Sequence, residues 1–218
     1  MDIKVDQKVV VCFDLDDTLY NEIDFLKSGF KAVAKSVDNN WKSLLTHMFS
    51  LFRYNEDAFD FISEKYKVEK KDLIALYRNH KPDITPFEGA KGLFQKIKKK
   101  EGVAAIITDG RSITQRNKLN SLGLTPYIDS LVISEEIGSE KPDKSNFLSI
   151  EKDHPDCKYF YIADNYLKDF ISPNALGWQT IGLIDNGRNI HNHAFKYMED
   201  ARYKPQFLIE ELSEIRIL

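Results

Sequence analysis

Short apolar runs recur along this chain, and each follows a stretch with helical spacing and ends in polar residues. The runs cover residues 8–13, 103–108, 130–134, 159–163 and 180–184, and a sixth run at 206–209 is expected to precede a short final helix. Continuous apolar runs of this length are typical of strands buried on both faces, and strands that alternate with helices form parallel sheets. The pattern therefore predicts an α/β fold built around a parallel sheet.

Three helical segments are predicted between these runs, at residues 88–100, 112–122 and 143–151. Gly102 and Gly123 follow the first two segments, and Pro142 precedes the third. Glycine is favoured just past the end of a helix and proline near its start, so these residues support the predicted boundaries.

Residues 21–86 interrupt the alternation of strands and helices. They show four helical patterns instead, at residues 22–37, 40–53, 57–66 and 69–79. Apolar residues of the first pattern, among them Phe25, Phe30 and Val33, recur near helical spacing, which is typical of a small bundle core. We therefore expect a helical insert at 21–86 within a core domain formed by residues 1–20 and 87–218.

The charge balance excludes two classes of partner. The 31 basic and 34 acidic residues give a net charge of −3, which offers no general attraction to nucleic acid or to an anionic membrane surface.

The sequence also shows neither a membrane span nor a signal peptide. No uncharged apolar run approaches the length that spans a bilayer, and acidic residues interrupt the N-terminal stretch, unlike in a signal peptide. We expect a soluble cytoplasmic protein that binds neither nucleic acid nor membrane.

Polar and charged side chains stand at the ends of four predicted strands. In chain order they are Asp14 and Asp16, then Thr108, Asp109 and Gly110, then Lys141, and finally Asp164 and Asp169. Ligands of open parallel sheets bind at the carboxyl ends of the strands, so we expect these residues to form one site.

These residue types suit phosphoryl chemistry. Clustered carboxylates repel one another unless a cation lies between them, and hard oxygen ligands suit Mg²⁺. Thr108, Asp109, Gly110 and Lys141 are the predicted phosphate-binding residues, because a hydroxyl, backbone N–H groups and an ammonium stabilise a phosphoryl group. Asp14, at the last rigid position of its strand, can attack phosphorus, which leaves Asp16 free to act as general acid and base.

Four segments resemble, in order, the four motifs of the haloacid dehalogenase (HAD) superfamily: DLDDTLY at 14–20, IITDG at 106–110, EKPD at 140–143 and ADNYLKD at 163–169. The resemblance covers nearly the whole chain. It implies a Rossmann-like core with an α-helical cap domain inserted between motifs one and two, which here corresponds to residues 21–86.

The resemblance also implies roles for single residues. Asp14 would be the nucleophile and Asp16 the acid and base, with Lys141 as the third catalytic residue. Mg²⁺ would be held by Asp14, the backbone carbonyl of Asp16 and Asp164, with Asp169 as an auxiliary ligand or as a residue that orients the others. Dehalogenase relatives lack a carboxylate at the position of Asp16, so this residue favours a phosphatase.

The main hypothesis is thus a Mg²⁺-dependent phosphatase that hydrolyses a small phosphorylated metabolite through an aspartyl-phosphate. One alternative is a phosphosugar mutase or other phosphotransferase of the same fold, and another is a non-catalytic phosphate-binding module. The identity of the substrate and the oligomeric state are not predicted.

Overall fold

Six parallel strands form the central sheet of the computed structural model, which describes all residues 1–218. The chain has eight strands in all, which are, in chain order, β1 (Asp2–Ile3), β2 (Val9–Phe13), β3 (Val103–Thr108), β4 (Ser130–Ile133), β5 (Lys158–Ala163), β6 (Gln179–Leu183), β7 (Phe207–Ile209) and β8 (Arg216–Ile217). The sheet has the order β4-β3-β2-β5-β6-β7, and β1 pairs separately with β8. The predicted fold class, an α/β protein with a Rossmann-like parallel sheet, is confirmed.

One of the two central strands of the sheet, β2, is also the first of the six in the chain. All five of its residues are buried, as expected for a parallel strand covered on both faces. It pairs with β3 on one side and with β5 on the other. The strand order therefore reverses at β2, and a crevice at the carboxyl ends of its two neighbours is the usual place for a ligand.

Ten helices surround the sheet. They are α1 (Glu22–Val37), α2 (Trp41–Arg53), α3 (Ala58–Tyr66), α4 (Lys70–Asn79), α5 (Ala90–Lys99), α6 (Ser112–Leu122), α7 (Ser134–Ile137), α8 (Ser145–Asp153), α9 (Ile171–Ala175) and α10 (Ala194–Tyr197). None of them combines the length and the apolar character needed to cross a bilayer.

Successive residues of β2 point to opposite faces of the sheet and enter two different apolar clusters. Val11 and Phe13 pack in the cluster that includes residues of α5 and α6. Val10 and Cys12 pack in the second cluster, which includes residues of α8. The sheet is thus the middle layer of three, and only its ends are open to a ligand.

Helices α1 to α4 enclose an apolar cluster of their own. The Phe30 ring lies within it and makes edge-to-face contacts with Phe49 and Phe59. Ile190, from the loop after β6, packs against the same cluster from the side of the sheet. The predicted helices of the insert agree with these four to within one residue at each end, whereas the assignment of 21–86 as a separate domain stays a prediction.

The differences from the predicted elements are small and local. The strand predicted at 130–134 ends at Ile133, because Ser134 begins the short helix α7. The final helix is a single 3₁₀ turn, Leu212–Glu214, closed by a capping box between Glu211 and Glu214. The two-residue strands β1 and β8 were not predicted, because two residues are too few to show an alternating pattern.

Candidate active site

Three carboxylates meet at the carboxyl ends of β2 and β5. Asp14 directly follows β2, Asp164 directly follows β5, and Asp169 lies just before α9. One oxygen of each carboxylate lies within 4.8 Å of the corresponding oxygens of the other two. Asp14 and Asp169 are buried, whereas Asp164 is partly exposed. Three carboxylate oxygens at this spacing fit a hard divalent cation such as Mg²⁺.

The electrostatics of the three carboxylates favour an added positive charge. Burial and the charge of Asp169 raise the pKa of Asp14 to about 7, although Lys141 opposes the shift. Burial, together with the charges of Asp169 and Asp14, raises the pKa of Asp164 well above its ordinary value. Asp14 and Asp164 therefore ionise together only at a cost, which a cation beside them would relieve.

Lys141 reaches into this cluster from the loop between α7 and α8. Its Nζ atom lies 2.6 Å from Asp14 Oδ1 and 2.7 Å from Asp169 Oδ1, and its side chain is fully buried. It also donates a hydrogen bond of 3.2 Å to the Tyr161 hydroxyl. Burial opposes the charged form, but the neighbouring carboxylates outweigh it and raise the pKa of Lys141 well above its ordinary value. The side chain is therefore a fixed ammonium beside Asp14.

Asp16 is bound by a different set of side chains. Lys118 of α6 places Nζ 2.7 Å from Asp16 Oδ1 and 2.9 Å from Oδ2. Gln115 donates to Oδ2 at 2.9 Å, and the Tyr20 hydroxyl donates to Oδ1. Burial raises the pKa of Asp16, but Lys118 and the two neutral donors outweigh burial and leave that pKa below its ordinary value. The Asp16 carboxylate lies outside the group of Asp14, Asp164 and Asp169.

The predicted phosphate-binding segment begins at the end of β3. The Thr108 hydroxyl is buried and accepts a hydrogen bond of 2.6 Å from Gln115 Nε2. The backbone N–H of Gly110 donates to Ser134 Oγ at 2.9 Å. Thr108 therefore lies beside Gln115, which also binds Asp16. Gly110 instead links the end of β3 to Ser134, the first residue of α7, through its hydrogen bond.

Asp109 binds two lysines of the site, one through the lysine backbone and one through the lysine side chain. Its Oδ1 accepts the backbone N–H of Lys141 at 3.0 Å, and its Oδ2 lies 2.7 Å from Lys168 Nζ. Burial opposes ionisation of Asp109, but Lys141 and Lys168 outweigh it and hold the pKa of this carboxyl below its usual range. An anion at position 109 thus positions both the Lys141 loop and a second ammonium next to the carboxylate cluster.

The loop after β6 closes one side of the site. Asn189 Nδ2 donates to Asp164 Oδ2 at 2.8 Å, while Thr18 donates to Asp164 Oδ1 at 3.1 Å. Asp17, in a left-handed backbone conformation, accepts the backbone N–H of Glu22 through Oδ1 and that of Ile190 through Oδ2. One carboxylate therefore joins the start of α1 to the loop beside Asp164.

The sequence-based prediction missed several residues of the site. Lys168 lies within the quoted ADNYLKD segment, and a lysine next to a predicted ligand could have indicated a charge partner. Gln115 and Lys118 are three positions apart on α6, and both are buried. Residues at this spacing share one face of a helix, but the sequence gives no sign that this polar face is buried.

Two comparisons of sequence match this chain to known proteins. Residues 11–183 match a family described as "Haloacid dehalogenase-like hydrolase". A glyceraldehyde 3-phosphate phosphatase from Methanocaldococcus jannaschii is 24% identical, with 94% of each chain covered. A pyrimidine 5′-nucleotidase from Escherichia coli is 28% identical, with 63% of this chain and 67% of that protein covered.

Solved structures share the fold at low sequence identity. A putative HAD-hydrolase from Bacillus subtilis, bound to magnesium, has a TM-score of 0.66 and 18% identity, with 97% of both chains covered. A predicted phosphoglycolate phosphatase from Haemophilus somnus has a TM-score of 0.66 and 15% identity, with 94% of this chain and 95% of that chain covered. Nearly the whole chain thus has structural counterparts.

Proposed function

Because the chain belongs to the haloacid dehalogenase-like hydrolase family, we propose that it is a Mg²⁺-dependent phosphatase that hydrolyses a small phosphorylated metabolite through an aspartyl-phosphate on Asp14. The observation that carries the proposal is the position of Asp14 in the site. It belongs to the group of three carboxylates and also contacts the buried ammonium of Lys141. Asp14, the proposed nucleophile, therefore lies in the candidate cation site and next to Lys141, the proposed phosphate-binding cation.

Asp14 is suited to attack phosphorus. Lys141 occupies Oδ1, whereas Oδ2 accepts no hydrogen bond in the structure. Attack by Oδ2 forms the bond between phosphorus and aspartate while the bond to the leaving oxygen breaks. The burial that raises the pKa of Asp14 is offset when positive charge is present beside it, so the carboxylate is then available in its ionised form.

Lys141 and Thr108 are suited to bind the transferred group. A buried ammonium stabilises the charge on the phosphoryl oxygens more strongly than it would in water. Mg²⁺, held by Asp14, Asp164 and Asp169, would neutralise further negative charge and orient the phosphoryl group. The backbone carbonyl of Asp16 is a further proposed ligand.

Asp16 is suited to transfer protons. In the first step it would donate a proton to the leaving oxygen, and in the second it would take a proton from the water that attacks the aspartyl-phosphate. The second step releases inorganic phosphate and restores Asp14. The contacts of Lys118, Gln115 and Tyr20 favour the ionised form, which accepts the proton of the attacking water in the second step. The proton gained there is the one that Asp16 would donate to the leaving oxygen in the first step of the next turnover.

We propose a small phosphate ester as substrate, with residues 21–86 as a cap domain that selects it. The relatives support this class, because their names include a glyceraldehyde 3-phosphate phosphatase and a pyrimidine 5′-nucleotidase. The cap is joined to the site through Asp17, which binds the backbone N–H of Glu22 at the start of α1. An inserted segment that is joined to the core only at its two ends can open and close over the site by a hinge motion at those ends.

The test is a measurement of inorganic phosphate released from an aryl phosphate, glyceraldehyde 3-phosphate and pyrimidine nucleotides. We expect release that requires Mg²⁺ and is lost in Asp14→Asn. Activity that survives both chelation and Asp14→Asn contradicts the proposal. Transfer of the phosphoryl group to a second sugar hydroxyl, in place of release, identifies a phosphotransferase instead.

A further inference from the structure

Two buried side chains of α6, Gln115 and Lys118, converge on the carboxylate of Asp16. Lys118 Nζ lies within 2.9 Å of both Asp16 oxygens, and Gln115 Nε2 lies 2.9 Å from Oδ2. Lysine is rarely buried to this degree without a partner, and Lys118 is only 3% exposed. The Asp16 carboxylate is its only ion-pair partner, so the buried charge of Lys118 is compensated by Asp16 alone.

The contacts of Gln115 fix the direction of two hydrogen bonds. An ionised carboxylate only accepts hydrogen bonds, so the Gln115 atom that faces Asp16 has to be the amide nitrogen. The same nitrogen lies 2.6 Å from Thr108 Oγ1, which therefore accepts its second N–H. The hydroxyl proton of Thr108 is then left to donate in another direction, as a phosphoryl oxygen requires.

Gly110 provides the space for this glutamine. A Cβ atom at position 110 would lie 3.3 Å from Gln115 Cδ, and the Gly110 φ of +129° is one that other residues rarely adopt. The N–H of Gly110 is bound to Ser134. The glycine of the second motif therefore allows Gln115 to reach both Thr108 and Asp16.

Lys118 also contacts the helical insert. Its Nζ atom lies 4.4 Å from the centre of the Phe25 ring on α1, within the range of a cation–π interaction. Phe25 is itself buried. The ammonium is thus held between the Asp16 carboxylate and an aromatic ring of α1, which restricts it to one position.

We propose that Gln115 and Lys118 are positioning residues that hold the Asp16 carboxylate in the orientation required for proton transfer, and that Gln115 also directs the Thr108 hydroxyl toward the phosphoryl group. This inference rests on the proposed phosphatase function. It adds to that function a pair of residues on α6 that act through Asp16 and Thr108.

The kinetic test uses Lys118→Met with an aryl phosphate in the presence of Mg²⁺. An aryl leaving group needs little protonation, so we expect the initial burst of product to remain and the steady rate to fall by at least tenfold, with little change in KM. The arginine variant Lys118→Arg keeps the charge and is expected to recover part of the rate. Arg116→Met is the matched control, because Arg116 pairs with Glu136 on the exposed side of the same helix.

A double variant separates positioning from a general structural effect. If Lys118 acts through Asp16, Lys118→Met should not slow the decay of the aspartyl-phosphate any further in the Asp16→Asn background. The decay is followed by the intact mass of the protein. Equal slowing in both backgrounds contradicts the proposal, as does a normal steady rate for Lys118→Met.

Gln115→Leu tests the second part of the proposal. The variant removes the donor to Thr108, so KM for the aryl phosphate is expected to rise in addition to the loss of steady rate. A variant that changes neither KM nor the steady rate overturns the role of Gln115.

Crystal structures of the wild type and of Lys118→Met give a readout that does not depend on activity. We expect the Asp16 carboxylate to be ordered in the wild type and displaced or disordered in the variant. An unchanged carboxylate overturns the positioning role. A wild-type protein that releases no phosphate, with a displaced carboxylate in the variant, contradicts the phosphatase proposal and the catalytic purpose of the pair but supports the contact itself.

Discussion

The ammonium of Lys141 lies 2.6 Å from Asp14 Oδ1, and both side chains are almost completely excluded from solvent. An ion pair of this kind is costly to break, because the remaining partner keeps its charge without compensation. The pair also places the cation next to the proposed nucleophile. Stability and activity should therefore both depend on Lys141.

We predict that Lys141→Met loses most of its phosphatase activity, by about 10²- to 10³-fold, the usual effect of removing one such charge stabiliser. In metal-free buffer it should also be less stable, by about 3 to 5 kcal/mol, because Asp14 and Asp169 lose their buried counter-charge. Thermal melting with and without Mg²⁺ checks this, and Mg²⁺ should recover part of the loss. The control is Lys144→Met, an exposed lysine nearby, and an unaltered rate in Lys141→Met would remove Lys141 from the site.

We predict that Asp16→Asn forms the aspartyl-phosphate from an aryl phosphate but clears it slowly. An aryl leaving group departs without a proton donor, whereas the attacking water needs a base with every substrate. Rapid quench and intact-mass analysis should show one added phosphoryl group, and peptide mapping should assign it to Asp14. If no adduct accumulates and raised Mg²⁺ restores the rate, Asp16 serves metal binding instead.

We predict that Mg²⁺ raises the melting temperature of the wild type. A ligand present at 100 times its dissociation constant stabilises the folded state by about 2.7 kcal/mol. Asp164→Asn should abolish most of this gain because it removes one of three clustered oxygens. Asp156→Asn is the control, since Asp156 is exposed and has a left-handed backbone that asparagine tolerates. Equal Mg²⁺ responses in the two variants would argue against the proposed ligand set.

We predict that His80 makes stability depend on pH. Burial lowers the pKa of His80, and the charge of Lys118 lowers it further, although the Tyr77 carbonyl opposes both. Neutral His80 suits its contacts, in which Nδ1 donates to the Tyr77 carbonyl and Nε2 accepts from the Ser28 hydroxyl.

The unfolded chain therefore takes up a proton at higher pH than the folded chain does. The stabilisation from His80 should be present above pH ~6.5, the ordinary value for histidine, and should be lost as the pH falls from there through the lower pKa of the folded state. Urea unfolding of the wild type and His80→Gln between pH 7.5 and pH 5 checks this. His47→Gln, at an exposed histidine of α2, is the control, and parallel pH profiles for wild type and His80→Gln would refute the assignment.

The sequence contained enough information to predict the sheet, the family and the residues at the strand ends. Apolar runs such as Val103–Thr108 are contiguous in the sequence, so they can be recognised without the structure. The last residue of each run then indicates which residues follow at the carboxyl end of the strand. The family match over residues 11–183 confirms the predicted superfamily. The assignment of single residues to metal, phosphate and proton transfer stays a prediction.

The surroundings of Asp16 could not be predicted in the same way. From the sequence we expected no binding partner for this carboxylate, whereas in the structure it accepts hydrogen bonds from Lys118, Gln115 and Tyr20. Lys118 is 102 residues from Asp16 in the chain, and no local pattern links two residues that distant. Only the packing of α6 against the end of β2 brings them together, and a polar residue in a helix is usually exposed.

The place of β2 at the centre of the sheet has a consequence for how the chain folds. Val10 pairs with Val103 and Val9 pairs with Lys158, so the first strand of the sheet to leave the ribosome has both partners far downstream. Helices α1 to α4 can collapse early through short-range contacts, but β2 stays unpaired until β3 and then β5 are synthesised. During translation, the strand that leads to the proposed nucleophile therefore stays unpaired until both β3 and β5 have been synthesised, and over that time it is exposed to aggregation or to chaperones.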